Sequence, residues 1–155
     1  MGKSLARVRA ALAAAGVDAA PVEKPVETRT ADQAAAAAGC EIDQIVKSIL
    51  FQDGAGKPHL FLTAGSNRVD ARLAGILAGV PLERADADVV RQVTGFAIGG
   101  VAPIGHLVPL PVWIDPRLLE FTKVWAAAGT PRHIFAIAPP DLMRITKGRM
   151  AEFCV

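Results

Sequence analysis

Ile45-Val46-Lys47-Ser48-Ile49-Leu50-Phe51, then the turn Asp53-Gly54-Ala55-Gly56, then His59-Leu60-Phe61-Leu62-Thr63, is the stretch that decides the fold. The first run is rich in β-branched residues, the glycine-bearing turn stops it, and the second run resumes the same character, which predicts a β-hairpin. Side chains two apart in a strand share a face, so Lys47 points with Ile45, Ile49 and Phe51 while Val46, Ser48 and Leu50 point the other way. Both faces of this first strand read as apolar.

Outward from the hairpin the pattern is helical. Ser4 is placed to cap a helix carrying Leu5, Val8, Leu12 and Ala15 at helical spacing, with Gly16 as its stop. Pro21 to Pro25 reads as an extended linker. Thr30 and Gln33 then form a capping box before an alanine-rich helix ending near Gly39. Val69 to Ala78, with Asp70 near its start and Gly79 beyond its end, and Asp86 to Val93 before Gly95, predict two more helices. Gly95 to Gly105 reads as a shaped loop. Val108 to Ile114, with Pro109 and Pro111, suits an edge strand. A short helical piece after Asp115, a strand at His133 to Ala138 and a last helix opened by Pro140 and Asp141 complete the chain. The irregular alternation predicts an α+β fold over residues 1–155 as one domain, a mixed and mostly antiparallel sheet or partial barrel flanked by helices.

Composition bounds the rest. A chain of 155 residues with 52% hydrophobic and 21% charged residues is expected to fold unaided and to need no disulfide or metal staple. Its longest alanine run, Ala34 to Ala38, is too short and too weakly apolar for a membrane span. Lys3, Arg7 and Arg9 interleave with alanines without an apolar core or cleavage site, so export is not expected. Cys40 and Cys154 lie far apart without zinc spacing, which suits a reducing cytoplasm. The net charge of +2 demands no polyanionic partner. Yet Arg117, Lys123, Arg132, Arg144, Lys147 and Arg149 face only Glu120 and Asp141 over that stretch, which makes either a phosphate-contacting patch or an ordinary solvated face.

Few residues offer chemistry. A lysine in an apolar strand cannot cheaply stay charged and unpaired, so Lys47 either meets an anion in a pocket or guards a strand edge against aggregation. The glycines of Thr94-Gly95-Phe96-Ala97-Ile98-Gly99-Gly100-Val101-Ala102-Pro103 let backbone amides converge on a ligand with Pro103 stiffening the loop, or they simply make a tight turn. No phosphate-loop or dinucleotide pattern is present. Ser48 and Ser66 lack a nucleophile elbow, Cys40 has no nearby histidine, and His59, His106 and His133 lack ligand spacing, so no metal and no cofactor are expected. Asp70 and Asp115 are placed either to orient a substrate amine or a water or, the better fit, to serve as a helix cap and a strand exit.

In their order, these segments resemble the YbaK/ProX family of aminoacyl-tRNA synthetase-associated domains. The resemblance rests on Thr30-Ala31 with its alanine helix, Gln44-Ile45-Val46-Lys47-Ser48, Arg68-Val69-Asp70, the glycine loop through Gly105-His106, Asp115, Ala127-Ala128-Gly129 and Pro140-Asp141-Leu142. It implies a cytoplasmic hydrolase that removes a wrong amino acid from tRNA, often tRNA for proline, because a proline pocket cannot strongly exclude smaller amino acids. It implies that Lys47 binds a phosphate or ribose of the tRNA's terminal adenosine and that Gly99, Gly100, Val101, Ala102 and Pro103 hold the ester carbonyl. Thr30, Ser48, Asn67, Asp70, Gly105, His106, Asp115 and Gly129 are the implied substrate contacts. Water, or the substrate's own ribose hydroxyl, would attack, which accounts for the missing triad. The implied partners are the acceptor end of mischarged tRNA, with alanyl- or cysteinyl-tRNA for proline as substrates, and prolyl-tRNA synthetase; neither DNA nor a membrane is a partner. Relatives often carry proline and phenylalanine where this chain has Ala102 and Ile104, so the pocket need not share their specificity. The same fold without catalysis would make a tRNA-end or synthetase adaptor, and a glycine loop used for a small phosphorylated metabolite is a third reading.

Overall fold

The expected hairpin forms. In the computed structural model, which describes residues 2–155, Val46 lies opposite Ala64, Ser48 opposite Leu62 and Leu50 opposite Leu60. Asp53 sets this register, its Oδ1 accepting from the Ala55 and Lys57 amides inside the turn. In chain order the elements are α1 (Lys3–Ala14), β1 (Val22–Glu23), α2 (Ala31–Ala38), β2 (Ile45–Gln52), β3 (Pro58–Ala64), α3 (Ala71–Ala78), β4 (Glu83–Arg84), α4 (Ala87–Thr94), β5 (Val112–Ile114), β6 (Val124–Ala127), β7 (His133–Ile137), α5 (Pro139–Thr146) and β8 (Arg149–Met150). Short 3-10 turns at Ile42–Gln44 and Pro116–Glu120 flank the central strands.

The strands make one eight-stranded sheet in the order β1-β7-β6-β2-β3-β5-β8, with β4 also on β2. β1–β7, β2–β3, β2–β4 and β6–β7 pair antiparallel, against β2–β6, β3–β5 and β5–β8 in parallel. The fold is therefore α+β with a mixed, mostly antiparallel sheet. It remains open, running from β1 to β8, and does not close into a barrel.

Both sheet faces are covered, as the doubly apolar first strand requires. Val46, Leu50, Leu60 and Leu62 point into the main core with Leu5, Val8 and Leu12 of α1, Val90 of α4 and Leu142 of α5. Full burial of such a side chain contributes about 1.5–3 kcal/mol. On the other face Phe51 and Phe61 pack edge to face at 5.4 Å beside Phe153 and α3, while Ile45 packs under Ala34 and Ala35 of α2. Lys47 stands in the interval between these two smaller clusters.

Most helix ends follow the sequence, though α5 opens at Pro139, one residue before the expected Pro140, behind Ala138 as an N-cap without a side-chain bond. Thr30 and Gln33 make the reciprocal capping box, and Asp70 and Asp86 cap α3 and α4. Ser4, however, does not cap α1; Gly2 holds that place, and the Ser4 hydroxyl inside the first turn donates to the Gly95 carbonyl. The Pro21–Pro25 segment is not a bare linker, because Val22 and Glu23 pair with Ile134 and His133. The edge strand expected at Val108 to Ile114 shortens to β5, and β8 rather than β5 ends the sheet.

Candidate functional site

The site arises from an interruption in the sheet. On its free side β2 pairs with β6 only at Ile45 and Val46 and with β4 only at Phe51 and Gln52. The Leu50 carbonyl accepts from the Ala85 amide on this side. Because backbone groups alternate along a strand, the Ser48 N–H and C=O point the same way, into the interval that neither neighbour fills. A cleft of about 380 Å³ opens there. Thr30, Ala31 and Arg29 at the start of α2 form one wall, and Arg84, Ala85, Val90, Ile98, Gly99 and Val101 form another.

Lys47 and Ser48 enter this cleft from opposite faces of the sheet. The Lys47 ammonium donates to the main-chain carbonyl of Asn67 at 2.6 Å, and among the described residues no carboxylate pairs with it. Burial, joined by the charges of Arg84 and Arg68, pulls its pKa below the ordinary lysine value. The Ser48 hydroxyl is buried and has no hydrogen-bond partner. Such a group is ordinarily satisfied in a folded protein.

Asp115 organises the floor behind Lys47. Its buried carboxylate accepts from the Ala64 amide at 3.0 Å, the Asn67 side-chain amide at 2.9 Å and the Arg117 amide at 3.0 Å. The carboxylate thus holds the loop whose carbonyl positions the lysine. The Cys154 thiol also donates to it, and burial with this negative neighbour pushes the thiol pKa up to about 12. Cys154 is therefore protonated and no nucleophile.

The glycine loop divides into a part that faces the cleft and a part that supports it. Gly99 takes φ +95, and a Cβ there would come within 3.1 Å of Arg29 Cγ. At Gly100 a Cβ would lie 3.0 Å from the backbone of Thr130, so this glycine is needed for close approach. The Gly100 amide is used within the turn, donating to the Ala97 carbonyl, whereas Gly99 and Val101 line the cleft with amides that have no main-chain partner among the described residues. Ala102, Pro103 and Ile104 are buried behind them.

Of the residues named from sequence, Thr30, Lys47, Ser48, Gly99 and Val101 share the cleft, and Asn67 and Asp115 stand just behind it. The others lie elsewhere. Asp70 caps α3. Gly105 and His106 fold onto α1: Arg7 donates to the Gly105 carbonyl, and the His106 ring meets the Ala102 carbonyl at 2.7 Å and Phe96 edge-on. Gly129 packs against Ser4 and Phe96. Arg29, Arg84 and Trp125 join the cleft without having been singled out from sequence. Arg29 pairs with Glu27 at the rim, and among the described residues no acidic side chain lines the cleft. Lys47, Arg84 and the Glu27-paired Arg29 give the cleft its positive side-chain charge, beside the N-terminus of α2.

Fold and site together define an α+β domain with a cationic cleft set into its central strand. The sequence profile of the aminoacyl-tRNA editing domain matches residues 25–145, and the chain belongs to that family. A solved structure provisionally described as a trans-editing enzyme for prolyl tRNA synthetase is 45% identical, with TM-score 0.94 over 100% of this chain and 99% of that one. YwhH of Bacillus subtilis, described as uncharacterized, is 28% identical over 120 residues, 77% of this chain and 76% of its own. EbsC of Enterococcus faecalis, provisionally described as a Cys-tRNA(Pro)/Cys-tRNA(Cys) deacylase, is 23% identical over 124 residues, 79% of this chain and 76% of its own. No helix among the described residues is long and apolar enough to cross a membrane.

Proposed function

We propose that this chain acts in trans as a deacylase, hydrolysing the ester of mischarged tRNA, with alanyl- and cysteinyl-tRNA for proline as its first candidate substrates. The observation that carries the reading is Lys47, a half-buried ammonium without a carboxylate partner, held by the Asn67 carbonyl in a cleft free of acidic walls. Family membership supports the reaction class, and the description of the solved relative spanned end to end supports action in trans.

In this scheme Lys47 and the α2 N-terminus hold the phosphate or ribose of the terminal adenosine. The Gly99 and Val101 amides stabilise charge on the ester oxygen as water or a ribose hydroxyl attacks, so the protein contributes positioning and electrostatics and no nucleophile. Gly100, Ala102 and Pro103 keep that turn rigid. The amino-acid side chain enters the apolar pocket of Val46, Leu50, Val90 and Ala126, where the Ser48 hydroxyl is the polar group. The whole chain then serves as one editing unit in the cytoplasm, its substrate supplied by a synthetase such as that for proline.

The test is single-turnover release from alanyl-, cysteinyl- and seryl-tRNA bearing the proline anticodon, against prolyl-tRNA, with Lys47→Ala as control. Selective, Lys47-dependent release of a wrong amino acid is expected. No release from any of them would replace the hydrolase with an adaptor that only binds the tRNA end.

A further inference from the structure

The basic C-terminal stretch does not form one face. Arg117 pairs with Asp43 and Glu120, Arg144 with Asp141 and the Ala15 carbonyl, Arg132 donates to the Pro25 carbonyl, and Lys123 lies over Trp125. Lys147 and Arg149, both exposed, have no acid or carbonyl partner among the described residues. They stand at a second cavity of about 470 Å³, bordered by β3, β5 and the ends of α3 and α5, away from the cleft.

Two unpaired nitrogens lie in the wall of this cavity. His59 and Trp113 line it, and the His59 Nδ1 and Trp113 Nε1 atoms are both buried without a partner. An indole N–H only donates. Burial pulls the His59 pKa down, which favours a neutral imidazole able to donate from Nδ1. No carboxylate lines the cavity. The backbone also fixes the lysine: Lys147 ends α5 at φ 55, a conformation usually left to glycine. The adjacent Gly148 is committed to packing, since a Cβ there would lie 2.4 Å from Ile114 Cδ1.

We propose that this cavity is a second anion site, which binds a phosphate group carried by a nucleotide. Trp113 Nε1 and His59 Nδ1 donate to its oxygens, and Lys147 and Arg149 neutralise its charge. The Arg149 guanidinium lies 5.8 Å from the Trp113 ring centroid; on binding it moves onto the phosphate, and the wall opens to expose the buried indole N–H. Leu77 and Pro111 give an apolar wall for the attached sugar or base. The phosphate belongs either to a free mononucleotide or to an RNA backbone, whose chemistry at the site is the same.

The full chain, labelled with 15N, is titrated at constant ionic strength with sodium phosphate, with AMP and with uncharged tRNA, while the indole resonances of Trp113 and Trp125 are followed; sodium chloride is the control. The Trp113 N–H is expected to move saturably, with a midpoint at or below about 1 mM, and to do so equally in Lys47→Met, which separates this site from the cleft. The double variant K147Q/R149Q should weaken the response about tenfold or more. Saturation by phosphate or AMP assigns a free phosphorylated ligand, and a response to tRNA alone assigns RNA backbone. If none of the three moves the Trp113 resonance, or K147Q/R149Q titrates like the parent, the site does not exist.

Discussion

Replacing Asp115 tests how the cleft holds its lysine. Asp115→Ala removes the acceptor of the buried Ala64 amide and of the half-buried Asn67 side chain and Arg117 amide. Hydrogen bonds to a charged group contribute about 1.5–3 kcal/mol each, and the buried donors are left unpaired, so the loss of stability should be about 3–5 kcal/mol. Asp115→Asn keeps one oxygen, which can serve Ala64 and Asn67, but turns an amide toward the Arg117 N–H, so its cost should be about 1–2 kcal/mol. Urea denaturation gives these differences, and deacylation under native conditions gives their consequence for Lys47. Asn67 is displaced most in the alanine variant, so activity should fall more in alanine than in asparagine. Equal costs for the two variants, or an alanine variant within 1 kcal/mol of the parent, would refute the role given to this carboxylate.

Two further outcomes follow from the same geometry. Because burial lowers the Lys47 pKa from 10.5, release that needs its charge should decline on the alkaline side at lower pH than an exposed lysine would give. For stability the sign is that the unfolded chain keeps this proton to higher pH; the penalty of the buried charge is full below the folded pKa and is relieved as pH rises toward 10.5, and denaturation of Lys47→Met at neutral and alkaline pH should lack that gain. Gly100→Ala pushes a Cβ against the Thr130 backbone, costing about 1–3 kcal/mol and slowing release, whereas Gly54→Ala, with nothing within 4 Å, should leave thermal midpoint and rate nearly unchanged.

The strong local signals were readable in the sequence. The hairpin, the Thr30 capping box and the Asp70 and Asp86 caps depend on residues a few positions apart, and all are found. Strands β1, β4 and β8, at two residues each, could not be read, because their backbones are extended only by partners far along the chain, such as Ile134 for Val22. β6 was missed for a related reason: Val124-Trp125-Ala126-Ala127 lacks the alternation of a half-buried strand and is defined by β2 and β7 on either side. At the site, Lys47 was visible because a cation in an apolar strand calls for a reason. Arg29, Arg84 and Trp125 were not, since each reaches the cleft from a different element and only the sheet order makes them neighbours. The glycine loop was recognisable as a close approach, but its neighbour, the Gly129–Thr130 backbone, was not.

The interruption beside β2 ties chemistry to alignment. Lys47 and Ser48 are consecutive residues that serve one cleft from opposite faces, so a slip of the hairpin by a single residue would exchange them and also turn the Val46 and Leu50 side chains out of the main core. A misaligned chain would thus lose its stability and its cleft together, and could not persist as a folded domain with an altered cleft. The small Asp53 turn thereby acts as a gauge for the cleft.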